Sequence, residues 1–103
     1  MDKSTRISQL ETNAVNASIS WAKNNTGIFT MQRTVNEYLD AIGANVAPDN
    51  NPELIAGRRN LAVQRIAIKA VYALDKSQLQ RLDAQLKDIA DDLPESRHRS
   101  FHR

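Results

Sequence analysis

A chain of 103 residues, 41% hydrophobic and 25% charged, has the size and composition of one ordinary globular domain. Gly and Pro number three each, too few for a turn-rich β-sandwich, and the absence of cysteine excludes disulfides and thiolate metal centres. The formal charge of +2 comes from the last ten residues. Positions 1–93 hold 11 Lys/Arg and 11 Asp/Glu, whereas 94–103 hold Arg97, Arg99 and Arg103 against Glu95. The body therefore lacks the broad basic footprint of a general nucleic-acid binder.

Ser4 or Thr5 is placed to cap a first helix running to about residue 25. Ile7, Leu10, Ala14, Ala17 and Trp21 line one face of it at helical spacing, and Val15, Ser18 and Ala22 widen that face. Thr12, Asn13, Asn16, Ser18 and Ser20 are weak helix formers, so this helix is expected to depend on its packing. Trp21 reads as a core anchor at its end. Gly27 suits the left-handed conformation of a C-terminal cap.

Thr30 is expected to cap a second helix over 30–42, with Met31, Val35, Tyr38, Leu39 and Ile42 as its apolar stripe and Gly43 closing it. Residues 44–51 are polar and turn-forming. Asp49, Asn50 and Asn51 lack the alternating ligands, glycine and distal glutamate of a calcium loop.

The chain is organised around a third helix, 52–74. Asn51 is a good N-cap, and Pro52 fits the first helical position. Wound at about 100° per residue, Val63, Ile66, Ala67, Ala70, Val71 and Leu74 cover roughly 80° to 220° of the circumference. Arg58, Arg65, Lys69 and Tyr72 make a narrow, mostly basic stripe. Two readings fit that stripe: the solvated edge of a core helix, or a contact with phosphates or an acidic partner. Arg59 falls inside the apolar arc and has no obvious place. Ile68 lies away from that arc, beyond Leu61, and suggests a second contact surface, with another copy of the chain as one occupant.

Asp75 with Gln78 forms a capping box for a fourth helix, 76–93, flanked by Leu74 and Leu79 as a hydrophobic staple. Leu79, Leu82, Leu86, Ile89 and Leu93 alternate spacings of three and four. That seam serves either the core of a bundle or pairing with a second subunit, through Ile68, Leu79, Leu82, Leu86 and Ile89. Asp91 and Asp92 stand at the unfavourable end of the helix for anions, a conflict that Arg97 or Arg99 is placed to relieve. Pro94 ends the helix and opens a basic tail, 94–103, with Phe101 as a stacking group; His98 and His102 are two ligands without a third.

The fold expected is all-α: a four-helix bundle over 1–93 and a basic, flexible tail over 94–103. No apolar run reaches the length of a membrane span, and MDKSTRISQL has no apolar signal core. The expected setting is the cytoplasm. Catalysis is not expected. No cysteine nucleophile exists, both histidines sit in the tail, and the glycines at 27, 43 and 57 are isolated and make no phosphate loop. No cofactor or metal is implied. The leading function is a non-enzymatic protein-interaction module (an adaptor, inhibitor or assembly factor) that binds a larger protein or itself. The alternative is a nucleic-acid-binding regulator using Arg58, Arg65, Lys69, the start of helix 4 with Lys76, Gln78, Gln80 and Arg81, and the tail arginines. Charge placement discriminates the two, because Asp83, Asp88, Asp91 and Asp92 share helix 4 with those donors and repel phosphate.

Overall fold

Most of the helix boundaries fall at a capping side chain or at a left-handed residue. The computed structural model describes residues 2–93. Helix α1 spans Lys3–Asn24, α2 Ile28–Ala41, α3 Pro52–Ala70 and α4 Lys76–Asp91, with short 3₁₀ turns at Pro48–Asn50 and Val71–Ala73. No strand occurs among the described residues, so the all-α bundle expected from periodicity is the fold. The tail over 94–103 lies outside the described residues.

Two caps are as the sequence implies. The Asn51 side chain accepts from Glu53 N–H at 2.9 Å and Leu54 N–H at 3.4 Å. Asp75 and Gln78 form the reciprocal box, at 2.8 and 3.0 Å. Several boundaries differ. Asp2, not Ser4 or Thr5, caps α1 and accepts from Thr5 N–H at 2.8 Å; its carboxylate also favours the positive end of the helix dipole. Asn25, with φ 57°, ends α1 and donates its N–H to Trp21 O. Gly27, with φ 80°, precedes α2, which starts at Ile28, so Thr30 lies inside the helix and caps nothing. The tight α1–α2 turn needs two left-handed residues in three positions, and Asn and Gly are the residues that accept this most readily. Helix α3 ends four residues before Leu74, because the chain tightens into the 3₁₀ turn and then extends at Leu74 to present the Asp75 cap.

One cluster of buried side chains draws on all four helices, with Met31, Val35, Leu39, Ile66, Leu82 and Leu86 at its centre. Arg59, early in α3, meets carbonyls at the end of α4, so those two helices run antiparallel. Glu11 in the first half of α1 meets Tyr38 late in α2, which sets that pair antiparallel too.

The face of α1 is rotated from its expected setting. Glu11, Ala14, Val15, Ser18 and Ala22 are buried, while Ile7, Leu10, Ala17, Ile19 and Trp21 sit at the margin. Small side chains at 14, 18 and 22 line up every four residues and let neighbouring helices come close, which larger residues at those positions would prevent. Ser18 is fully buried and its hydroxyl finds no hydrogen-bond partner among the described residues. Removing an unsatisfied buried polar group relieves its desolvation, and alanine is also the better helix former. Ser18→Ala is therefore expected to raise stability by about 1 kcal/mol. Urea denaturation followed by circular dichroism checks it, and a clear loss of stability would mean that the hydroxyl has a partner.

Candidate interaction surface

Glu11 is the only acid in α1, and it is buried where α1, α2 and α3 meet. Tyr38 donates its hydroxyl to Oε2 at 2.9 Å, Arg65 donates Nε to the same oxygen at 2.7 Å, and Lys69 donates Nζ to Oε1. Burial alone would push this carboxyl upward, but the Lys69, Arg65 and Tyr38 hydrogen bonds outweigh it and hold the pKa at about 2. Burial and the hydrogen bond to Glu11 together push the Tyr38 phenol up to about 12. At neutral pH the cluster is fixed as one carboxylate, two cations and a neutral phenol.

This arrangement decides the basic stripe. Arg58, Arg65, Lys69 and Tyr72 do share one exposed edge of α3 and the turn after it, but Arg65 and Lys69 both pair with Glu11, which offsets one of their two charges, and Arg58 donates to Val46 O. Tyr72 projects freely, 81% exposed. Arg97, Arg99 and Arg103 lie outside the described residues. At the start of α4, Arg81 turns inward rather than joining that edge. Its guanidinium stacks on Trp21 with 4.7 Å to the ring centroid, and it donates to Ala22 O at 3.1 Å and Asn25 Oδ1 at 2.9 Å. Trp21 is accordingly a half-buried platform at the end of α1 and not a core anchor.

The residues expected on an α4 seam divide in the same way. Leu82, Leu86 and Ile89 are buried in the chain's own core, so for these three the bundle reading replaces the intersubunit one. Packing against α3 uses the stripe before a second subunit can reach it. Ile68 and Leu79 retain surface, on an open groove of about 520 Å³ between α3 and α4. Val63, Ala67, Ile68, Val71, Leu79 and Leu86 give it an apolar lining, with Asn60, Gln64, Asp83 and Lys87 among the polar residues there.

Arg59 lies on the buried face of α3, inside the apolar arc where helical periodicity places it, with partners that periodicity could not show. It is fully buried. Nε donates to Ala90 O at 2.9 Å, and Nη2 to Ile89 O at 2.7 Å and, at longer range, to Asn36 Oδ1 and Asp92 O. Nη1 donates to Asn45 Oδ1. A guanidinium thus caps the C-terminal carbonyls of α4, whose partial negative charge it offsets. Asn60 at 3.2 Å and Lys87 at 3.1 Å hold the Asp91 carboxyl below its usual range, which eases the conflict at Asp91, while Arg97 and Arg99 lie outside the described residues.

The outer face of α3 carries two largely exposed apolar side chains. Leu61 is 69% exposed and Ile68 71%. Among the described residues no group of His, Cys, Asp or Glu is arranged to hold a metal ion, and no helix is long and apolar enough to cross a membrane. No protein-family model, curated protein or solved structure matches the chain.

Proposed function

We propose that this chain is a small non-enzymatic protein-interaction module of the cytoplasm, acting by binding a larger protein or a second copy of itself through the outer face of α3 and the adjoining α3–α4 groove. The observation that carries the reading is the pair Leu61 and Ile68, one turn-and-turn-again apart on a solvent face beside an apolar groove. Large apolar side chains left in water beside an apolar groove are the kind of surface on which another protein docks. Two further features support it. The most perturbed carboxylate, Glu11, is clamped by three donors at a pKa of about 2, far from the range useful for proton transfer near neutral pH. The cations that would meet nucleic acid already have internal partners at Arg65, Lys69 and Arg81, and Asp83 stands in the groove.

The test pairs a nucleic-acid assay with a cross-linking one. Light scattering after size exclusion is run at roughly 50 and 500 mM salt, with and without a short random-sequence DNA duplex. The expected result is no DNA complex at either salt. A photoreactive side chain at position 61 is expected to give covalent protein adducts in cells, and the same group at Asn13, on the polar face of α1, to give none. A DNA complex that dissolves at high salt would overturn the proposal in favour of a nucleic-acid-binding regulator, and so would failure of position 61 to yield any protein adduct.

A further inference from the structure

The outer face of α3 is a regular seam. Leu54, Leu61 and Ile68 recur every seven residues, Gly57, Gln64 and Val71 stand three after each, and all six are exposed. These are the a and d positions of two and a half heptads. The seam lies opposite the core face formed by Ile55, Arg59, Ala62 and Ile66, and on one flank its residues Gln64, Ile68 and Val71 also line the α3–α4 groove.

Three observations say what covers it. Gly57 sits inside α3, where glycine costs up to about 1 kcal/mol relative to alanine. A Cβ at that position would meet nothing within 4 Å. Nothing in the chain itself asks for a glycine there, whereas close approach of another backbone along the seam does. The flanking charges then choose the partner. In a parallel pair each residue before an a position faces the residue five further along in the other helix. That places Glu53, which has no ion pair among the described residues, beside Arg58 of a second copy. Extended two residues past α3 into the 3₁₀ turn Val71–Ala73, the same rule sets Tyr72 of the second copy against Ala67, which lines the α3–α4 groove next to Val71 and Leu79. One geometry therefore occupies the most exposed aromatic side chain among the described residues, the open groove and Glu53 together. The antiparallel arrangement instead brings Arg58 against Arg65 of the other copy.

We infer that α3 pairs in parallel with α3 of a second copy along the Leu54–Val71 seam, with Tyr72 of each copy entering the α3–α4 groove of the other. This deepens the interaction-module reading and rests on it. The pair is isologous, so every contact occurs twice.

The absence of cysteine makes a clean test available. Single Leu54→Cys, Leu61→Cys and Ile68→Cys variants of the full chain are oxidised at concentrations on the order of 100 μM, with Asn13→Cys as control. In a parallel two-fold pair each seam cysteine faces its own copy within disulfide reach, and each seam variant is expected to cross-link to a dimer faster than the control. Light scattering is expected to give twice the chain mass. Leu61→Asp, at an exposed position, should keep its helical spectrum and raise the dimer Kd at least about tenfold. Arg58→Glu should raise it about threefold, and the exchange Glu53→Arg with Arg58→Glu should restore it. A single-chain mass at that concentration overturns the inference, and so does cross-linking confined to mixtures such as Leu61→Cys with Gln64→Cys, the antiparallel signature. A monomer whose position 61 still captures a different protein overturns self-pairing and leaves the interaction module standing. A salt-sensitive DNA complex removes the module reading itself.

Discussion

Arg59→Met is expected to destabilise the fold by about 3–5 kcal/mol, a large share of the 5–15 kcal/mol that holds a domain of this size together. Methionine fills most of the volume of the arginine stem and supplies no donor. The Ile89 and Ala90 carbonyls would then be left at a buried helix end without the N–H groups that serve them at 2.7 and 2.9 Å. Each hydrogen bond to a charged donor is worth about 1.5–3 kcal/mol. The five contacts share one side chain and do not add, so the figure for removing a whole buried partner is the better guide. Arg59→Lys should lose less, since an ammonium can serve one carbonyl but has no planar fork for several acceptors. Urea denaturation followed at the helical band measures both. A loss below about 1 kcal/mol for the methionine variant would show that α4 can satisfy its own end, against the role drawn from the geometry. The location of the damage is a second readout: amide exchange should quicken first at the end of α4, where Arg59 holds the carbonyls.

Glu11→Gln is expected to be the next largest effect, with a pH signature that separates charge from packing. Glutamine keeps the shape and one acceptor for Tyr38, but removes the charge on which Arg65 and Lys69 converge. Arg65 and Lys69 are about half exposed, at 62% and 46% of their side chains, so solvent screens part of their attraction and the loss at neutral pH is discounted to about 1–2 kcal/mol. The sign follows from the direction of the shift. The folded pKa of about 2 lies below the ordinary value of 4.5, so the folded state favours the ionised carboxylate. The stabilisation is present in full above pH 4.5 and is lost as pH falls through the window down to about 2. Wild type should lose this increment of stability on acidification across that window, and Glu11→Gln should not. Parallel acid-titration curves for the two proteins would contradict the assignment of the low pKa to Glu11.

Much of the architecture was legible in the residues themselves. Helix number and order follow from apolar spacing along Met31–Ile42, Ile55–Ala70 and Leu79–Ile89. The caps at Asn51 and Asp75 follow from local chemistry that needs no tertiary partner. The suspicion about Ile68 also came from winding one helix, because a residue far from the apolar arc must face something else. These signals are local: each depends on residues within a few turns of one another, and the backbone hydrogen bonds they serve lie in the same segment.

What the sequence could not show was decided by long-range pairing. Glu11 meets partners 27, 54 and 58 residues away, and Arg59 meets carbonyls 30 and 31 residues away. Glu11 carries no signal in the spacing of α1, and an arginine inside an apolar arc reads as an irregularity until the helices are brought together. Burial of a charge is tolerated only where several donors or acceptors converge on it, and convergence from three helices leaves no spacing pattern in the chain. The same reason rotated α1 toward Glu11, Ser18 and Ala22, turned Arg65 and Lys69 into internal counterions, and took Leu82, Leu86 and Ile89 into the core. Periodicity in the chain determined which faces are apolar; tertiary packing decided which of those faces were covered and left the outer face of α3 open.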